Sequence, residues 1–403
     1  MESGDPRLVD ATELPPARVG DRARGGELLV VRGCLQRLGL LDGLRGDAVA
    51  AIAEVAGEER AKRIAAAGLE RLHRDLNGRE TVAVAEALTA RVRVRSAPFA
   101  ARLLEGVLGR RVLLFFEEGP RGRIHVPFAR RPRDADGVAA LVERIGPGAV
   151  TPHGPHRDGW FGLPRNSIDV WIALGRVRPG NGLSLFPDAL GRPIGRDAMG
   201  RIAPAQGFGR PANVALEPGD ALVFRGDHVH ASELNRTEEA RVVVSYRATI
   251  GLPLYSEAPA FRFRYAGAAS GPLAAALSLG ADLQWHGLRR LMPALRRILP
   301  RRAAAGDSAL RLPEPLAAGA LAAAGLPESG AIRPIDGSRC AVRLPDGRTF
   351  AFERSCPHEG GDLAAATLRD GQIVCPGHGA PFDVLTGRSG CPGVGDIEVR
   401  ALE

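Results

Sequence analysis

Residues 218–246 read PGDALVFRGDHVHASELNRTEEARVVVSY, and they carry the clearest fold signal in the chain. The apolar run 221–224 has the length of a short strand, and the Gly and Asp after it mark a turn. His230 follows this turn. Arg241 stands 11 positions later and begins a second apolar run. The stretch therefore predicts two strands of a sheet that also carries polar functional side chains.

A second motif lies upstream, where residues 151–160 read TPHGPHRDGW. On a strand, His156 and Asp158 would share a face because positions i and i+2 point to the same side. One more histidine would complete a facial triad, which leaves three coordination positions open on a metal ion. His230 is the candidate for that third ligand. His-x-Asp alone is a weak signal, but its combination with the later Gly-Asp, His, Asn and Arg is much stronger.

The surrounding sequence predicts a mainly β fold with N-terminal helices. Residues 26–33 read as a strand, and residues 38–56, 59–75 and 79–108 have apolar positions at helical spacing. From about residue 111, short β-rich runs alternate with turn residues, which indicates an antiparallel sandwich or barrel. These runs are RRVLLFFEE, GRIHVPF, NSIDVWIAL, GLSLFP, NVALEPGDALVFRG and ARVVVSYRATI.

Together these motifs resemble the phytanoyl-CoA dioxygenase-like family of Fe(II)/2-oxoglutarate oxygenases, over about residues 26–255. The resemblance implies a double-stranded β-helix, or jelly roll, in which His156, Asp158 and His230 hold iron. It also implies that Arg241 binds the C5 carboxylate of 2-oxoglutarate, since arginine pairs bidentately with carboxylates. Radical halogenases of this superfamily have a small residue in place of the aspartate. Asp158 therefore favours hydroxylation or a related oxidation.

Other residues near the two motifs have alternative interpretations. His228 competes with His230 as a ligand, but the spacing to Arg241 favours His230. His153 is interpreted as a pocket histidine or as a structural one, and His125 as a hydrogen-bonded strand histidine. Three more side chains could line the substrate pocket or serve ordinary core and surface roles: Trp160, Arg165 and Trp171.

Two cysteine- and histidine-containing loops lie near the C-terminus. Residues 355–358 read SCPH and residues 374–378 read VCPGH, which supplies two thiolates and two imidazoles: Cys356, His358, Cys375 and His378. Zinc would accept this set chemically. However, Cys-x-His chelates one tetrahedral ion awkwardly, because its two side chains diverge. A binuclear cluster suits the spacing better, with one iron held by the thiolates and the other by the imidazoles.

This segment resembles the cluster-binding region of Rieske ferredoxins over about residues 311–403. The resemblance implies a [2Fe–2S] cluster ligated by the four residues just named. Rieske proteins of high potential carry an extra cysteine at the position of Gly377, so the lower-potential kind is expected. The remaining cysteines do not fit the ligand pattern and are expected to be inert thiols: Cys34, Cys340 and Cys391.

The predicted organisation has three parts: an oxygenase domain at 1–261, a basic helical linker at 262–310 and a Rieske domain at 311–403. In the linker, Leu288, Leu291, Leu295 and Ile298 fall on one helical face, and Pro293 is expected to kink the helix or start a second one. Three interpretations of this helix remain open. It could dock on a neighbouring domain, bind an acidic redox partner or lie on a membrane surface.

Composition narrows the function classes. The formal net charge of the 403 residues is +8, but Lys62 is the only lysine, and heavy arginine use reflects coding bias as readily as function. Aromatic residues make up 5%, which is few for a base-stacking surface. No run approaches the roughly 20 apolar residues of a membrane span, and the polar N-terminus lacks a secretory signal. We therefore expect a cytoplasmic protein that does not bind nucleic acid.

The two sites together predict an oxygenase that hydroxylates or desaturates a small organic substrate. In Rieske oxygenases the cluster domain comes first, whereas this chain has it last. Because 2-oxoglutarate chemistry needs no external electrons, the cluster is expected to re-reduce iron that escapes to Fe(III). One alternative is a cluster that feeds electrons in every turnover without 2-oxoglutarate. Another is a non-enzymatic redox sensor. A flavin-dependent NAD(P)H reductase or a ferredoxin reductase is the expected electron donor.

Overall fold

Helices dominate the first hundred residues of the computed structural model. They are α1 (Pro16–Gly25), α2 (Cys34–Leu38), α3 (Leu41–Ala56), α4 (Glu58–Ala67), α5 (Gly78–Val94) and α6 (Ala97–Leu108), with strands β1 (Leu8–Asp10) and β2 (Leu28–Val31) among them. Helix α5 begins at a capping box, in which Asn77 and Glu80 each accept a hydrogen bond from the other's backbone N–H. The helices predicted from periodicity are confirmed.

The structure describes most of the chain, and the described residues form two compact units. The first unit comprises Met1–Gly191 and Phe208–Arg301, and the second takes in the C-terminal residues from Arg302. The described residues are 7–95, 97–132, 136–146, 148–194, 208–233, 235–256, 258–298, 327–336, 339–354, 356, 362–376, 380–389 and 396–402.

Two facing sheets complete the first unit. The elements after α6 are β3 (Leu114–Glu117), β4 (Arg121–His125), α7 (Val138–Ile145), β5 (Ser167–Ala173), β6 (Leu183–Phe186), β7 (Ala212–Asn213), β8 (Ala221–Arg225), β9 (Val229–Ser232), β10 (Arg241–Ile250) and β11 (Phe263–Tyr265). The larger sheet has the order β1-β2-β8-β5-β10-β3-β11, with β4 also paired to β10, and the smaller sheet has the order β7-β6-β9. This arrangement confirms the predicted jelly-roll class.

Successive side chains of strand β10 point to opposite faces of the larger sheet. Val242, Val244 and Tyr246 join the core that the larger sheet shares with the helices. Val243 faces the other way and packs with Trp171, Leu185 and other residues of the space between the sheets. Because successive side chains alternate, Arg241, Ser245 and Arg247 also point between the sheets. The inner face of the barrel therefore receives several polar side chains from this one strand.

Helix α8 (Gly271–Ile298) follows β11 and belongs to the first unit. It runs through Pro293, so this proline does not start a second helix. Its packed side includes Ala281, which is buried with Phe115 and Phe263. Leu291 of the predicted apolar face is 58% exposed. The last residues of the predicted linker, 299–310, lie outside the described residues. Within the described part of the chain, no helix has the length and apolarity needed to cross a bilayer.

The second unit is built from two small antiparallel sheets. Its strands are β12 (Ile332–Pro334), β13 (Arg339–Arg343), β14 (Thr349–Glu353), β15 (Thr367–Arg369), β16 (Gln372–Val374), β17 (Pro381–Asp383) and β18 (Val399–Leu402), in the orders β12-β13-β14-β18 and β15-β16-β17. The turn at Thr386-Gly387, in the second unit, needs its glycine. Gly387 has a φ of +71°, and a Cβ there would lie 1.9 Å from the Ile397 carbonyl oxygen.

Candidate metal centre

Backbone pairing brings the two distant histidine motifs together. The His156 N–H donates to the His230 carbonyl at 2.9 Å, and the His230 N–H donates back at 2.9 Å. The Asp158 N–H donates to the Gly226 carbonyl, also at 2.9 Å. His156 forms only this isolated bridge, and Asp158 opens a 3-10 turn, so the motif is not the strand that was predicted. The pairing with β9 nevertheless places all three side chains at one end of the barrel.

The three side chains have the geometry and donor atoms of a metal site. Their ligand atoms lie within 4.8 Å of one another, and all three residues are buried. Asp158 Oδ1 is 3.8 Å from Nε2 of His156 and 3.9 Å from Nε2 of His230. His228 is buried outside this group, with its Nδ1 3.1 Å from the Arg225 carbonyl oxygen. The structure thus brings His230, and not His228, to the other two residues.

Hydrogen bonds orient both imidazoles of the group for ligation. Nδ1 of His156 lies 2.7 Å from the Gly154 carbonyl oxygen, and Nδ1 of His230 lies 3.0 Å from that of His228. A proton on each Nδ1 satisfies these carbonyls and leaves each Nε2 lone pair free for a metal. Burial lowers the pKa of both imidazoles, which keeps them neutral. Two nitrogen donors and one carboxylate fit the facial triad of non-haem iron(II).

Asp158 belongs to a buried ionic network centred on Arg247. The Arg247 Nε donates to Asp158 Oδ2 at 2.6 Å, and Nη2 donates to Oδ1 at 3.3 Å. Glu117 accepts from Nη1 at 3.0 Å, and Asp169 Oδ1 lies 2.9 Å from Nε. Burial, the largest single effect, disfavours the Asp158 carboxylate. Arg247 opposes it most strongly, and together with both histidines and a hydrogen bond to Asp169 it lowers the net pKa. Burial, then the charge of Asp158, raises the pKa of Asp169.

The sequence analysis did not identify Arg247 as a residue of the site, although its spacing from Arg241 indicates this position. Arg247 lies six positions after Arg241 in an otherwise apolar strand, so both side chains must share a face. The run RGRIH has a similar alternation, and β4 aligns Arg121, Arg123 and His125 beside β10. Charged residues that alternate with apolar ones inside a predicted barrel strand therefore indicate a polar interior.

A small cavity opens beside the triad. His153 lies in it, with its ring centroid 3.8 Å from that of His156. Trp171 also lines it, which is one of the two roles predicted for this residue. Arg165 is exposed and Trp160 half-buried. The described residues that line the cavity are Arg123, His153, His156, Asp169, Trp171, Leu183, Phe224, His230, Ser232, Ser245 and Arg247.

Arg241 is fully buried behind Trp171, with its guanidinium carbon 5.3 Å from the centre of the indole ring. Its Nη1 donates to the carbonyls of Asn181 and Gly182, and its Nη2 lies 2.9 Å from Nδ1 of His125. Among the described residues, nothing accepts a hydrogen bond from its Nε. In the part of the chain that the structure describes, no carboxylate lies within ion-pair distance of this guanidinium. Burial lowers its pKa to about 9, and the charge of Glu233 partly opposes this shift.

His125 is a hydrogen-bonded strand histidine, as expected. Its Nε2 lies 2.9 Å from the Gly148 carbonyl oxygen, and its Nδ1 faces the Arg241 donor. This pairing places the proton on Nε2 and leaves Nδ1 as the acceptor. His125 therefore fixes one edge of the Arg241 guanidinium.

The described barrel interior carries more buried cations than anions. Its buried arginines are Arg121, Arg123, Arg241 and Arg247, and its buried carboxylates are Glu117, Asp158 and Asp169. Burial lowers the pKa of Arg123 to about 9, and repulsion from the other three arginines adds to the shift. An anionic ligand in the neighbouring cavity would offset this excess charge.

The second unit presents its two predicted cysteine ligands from neighbouring loops. Cys356 follows β14 and Cys375 follows β16, and both are buried in the core of the unit. The other two predicted ligands, His358 and His378, lie outside the described residues. Arg354 and Asp362 flank the first loop and form a bidentate pair, with both nitrogen–oxygen distances 2.8 Å. The Cys375 N–H closes the second loop by donating to the Ala380 carbonyl at 2.9 Å.

Two of the remaining cysteines are buried thiols. Burial raises the pKa of Cys34 and of Cys340 to about 12, which keeps both protonated at neutral pH. Cys391 lies outside the described residues.

Comparisons with known proteins identify both units. Residues 58–243 match the phytanoyl-CoA dioxygenase (PhyH) family model, and residues 327–395 match the Rieske [2Fe-2S] domain model. No curated protein matches the chain significantly.

Among solved structures, the chain resembles the non-heme alpha ketoglutarate dependent epimerase SnoN from nogalamycin biosynthesis, at 17% identity over 58% of this chain and 82% of that one, with a TM-score of 0.33. It also resembles the non-heme monooxygenase ThoJ, at 14% identity over 68% and 98%, with a TM-score of 0.33. A third match is a complex of oxygenase and ferredoxin in carbazole 1,9a-dioxygenase, at 31% identity over 19% and 82%, with a TM-score of 0.17. On the two family models, the chain is a PhyH-type non-haem iron oxygenase fused to a C-terminal Rieske [2Fe–2S] domain.

Proposed function

We propose that the chain is an Fe(II)/2-oxoglutarate-dependent oxygenase that hydroxylates or desaturates a small organic substrate. In this proposal His156, Asp158 and His230 hold the iron, and Arg241 binds the C5 carboxylate of 2-oxoglutarate. Iron bound with a 2-oxo acid supplies the activation of O₂. Trp171, Leu183 and Phe224 line the cavity beside this site with apolar side chains.

The observation that carries the dependence on 2-oxoglutarate is the buried Arg241. A buried cation is costly unless an anion compensates it. Arg241 instead retains an unused Nε donor, behind the Trp171 ring that lines the cavity. Ser232, another residue of the cavity wall, has its Oγ 3.5 Å from Nη2. A dicarboxylate that reaches from the metal toward Arg241 would supply the missing anion and offset the excess of buried arginines.

The binding step can be tested without turnover. Under anaerobic conditions, 2-oxoglutarate added to the Fe(II) protein should produce a visible charge-transfer band. Arg241→Met should weaken 2-oxoglutarate binding by about 100-fold, because a buried charge-assisted pair contributes roughly 3 kcal/mol. Arg178→Met is the matched control, since this arginine is partly exposed and pairs with Glu217 at 2.7 Å. Equal affinities in the two variants would contradict the assignment of Arg241.

We further propose that the Rieske domain restores Fe(II) when the mononuclear iron becomes oxidised outside the productive cycle. The proposal rests on electron balance: a 2-oxo acid supplies the two electrons that O₂ activation needs, so the cluster must serve another step. A one-electron carrier suits the reduction of Fe(III) to Fe(II). The cluster must then be reduced by a partner, for which we propose a flavin-dependent NAD(P)H reductase or a ferredoxin reductase.

A further inference from the structure

Arg247 holds the carboxylate of Asp158 from the side away from the two imidazoles. Its Nε is 2.6 Å from Oδ2, and its Nη2 is 3.3 Å from Oδ1. Oδ1 is also the oxygen that faces His156 and His230, at 3.8 and 3.9 Å from their Nε2 atoms. The two oxygens of one carboxylate therefore have different environments, and Oδ2 carries the shorter contact with the guanidinium.

Arg247 is itself immobilised by other buried groups. Its Nη1 donates to Glu117 at 3.0 Å, and Asp169 lies 2.9 Å from its Nε. The side chain is 4% exposed, and the three carboxylates that surround it are at most 3% exposed. A guanidinium has a rigid planar set of donors, so fixing it at two further points also fixes the carboxylate that it contacts.

We propose that Arg247 is a positioning residue of the metal centre, which makes Asp158 bind the metal through Oδ1 alone. With Oδ2 occupied by Arg247, the carboxylate cannot chelate through both oxygens. Three coordination positions then remain open for the 2-oxo acid and O₂. This inference rests on the proposed iron triad, but it assigns a role that the triad itself does not require.

Cobalt(II) binding to the full-length protein tests the proposal. Affinity is measured by competition with a chelator, and the visible Co(II) difference spectrum reports the coordination number. Arg247→Lys keeps the positive charge but lacks the rigid planar set of donors that contacts both oxygens of Asp158. We expect it to bind Co(II) about 10- to 100-fold more weakly than the wild type, with an altered spectrum. Arg247→Gln should have the same defects, although removal of a cation would otherwise favour binding of a divalent metal.

Glu118→Gln is the matched control, because it removes a carboxylate from a neighbouring residue that pairs with Arg262 and Arg264 and does not contact Arg247. It should retain the wild-type Co(II) affinity and spectrum. The proposal is overturned if Arg247→Lys matches the wild type in both measurements, if Arg247→Gln binds Co(II) more tightly, or if Glu118→Gln shows the same loss. Should Arg247→Gln fail to fold, the charge-preserving Lys variant still decides between these outcomes.

A different result is expected if the three proposed ligands do not bind a metal at all. In that case Asp158→Ala would bind Co(II) as the wild type does, or the wild type would bind no Co(II) in addition to its iron–sulfur cluster.

Discussion

At the scale of single residues, Asp158 is both the anionic ligand of the candidate centre and the main partner of Arg247. Its replacement by alanine removes one of three ligands and leaves two neutral imidazoles to hold a dication. Arg247 keeps Glu117 and Asp169 as partners, so we expect the fold to survive. Asp158→Ala should therefore lose the mononuclear iron and keep the cluster. Metal analysis together with electron paramagnetic resonance of the reduced cluster measures both.

Asp227→Ala provides the control for this variant. Asp227 lies on the turn before β9 and pairs with Arg225 at 3.7 Å, outside the triad. It should retain both kinds of iron. Loss of the cluster signal in Asp158→Ala, or retention of all its iron, would contradict the ligand assignment.

The residue scale also shows what a sequence can and cannot reveal about such a site. His156, Asp158 and His230 were predicted because ligand chemistry restricts both residue type and spacing. Arg247 was missed because its role depends on which carboxylates meet it, and β3, β5 and β10 bring these together only in the folded sheet. Arg241 was predicted only in part. Its position was predicted, but its hydrogen bonds to the carbonyls of Asn181 and Gly182 were not.

At the scale of elements, short strands were predicted well because alternation and turn residues are local signals. The strand predicted to carry His156 and Asp158 was wrong in detail, because His156 pairs through one bridge and the chain then turns at Asp158. Pro293 was also misjudged as a possible helix start. A proline in a helix removes one hydrogen bond and disturbs one turn. Helix α8 continues through it.

The cysteine loops give a prediction at this same scale. Arg354 and Asp362 form a bidentate, partly exposed pair at the two ends of the first loop. Asp362→Asn should destabilise the loop closure by about 1 kcal/mol, which corresponds to roughly fivefold faster cluster loss. Arg354 lowers the pKa of Asp362, so the stabilisation is present at neutral pH and is lost as the pH falls through the lowered pKa. Bleaching of the cluster absorbance at neutral pH provides the measurement.

Asp346→Asn is a suitable comparison, because Asp346 pairs with Arg348 in an exposed hairpin turn of the same unit. It should lose its cluster at the wild-type rate. Identical rates for all three proteins would show that the pair does not hold the loop.

At the scale of the whole molecule, the question is how two iron centres divide the electrons between them. Cys356→Ser removes a predicted cluster ligand of the second unit and leaves the sequence of the first unit unchanged. If the cluster only restores oxidised iron, this variant should form succinate from 2-oxoglutarate under air at the initial rate of the wild type. It should then inactivate earlier, because Fe(III) accumulates without its reductant. A small-molecule reductant should extend its activity, whereas the wild type with its reductase should gain little.

Cys340→Ser supplies the matched control, since Cys340 is a buried cysteine of the same core and not a predicted ligand. It should behave as the wild type does in both the initial rate and the duration of turnover. A different result would support the alternative in which the cluster, and not 2-oxoglutarate, supplies the electrons. If no protein forms succinate, and O₂ consumption requires an intact cluster and a reductant, then the cluster feeds every turnover. Arg241 would then compensate the charge of something other than a 2-oxo acid, most simply an acidic group of the substrate itself.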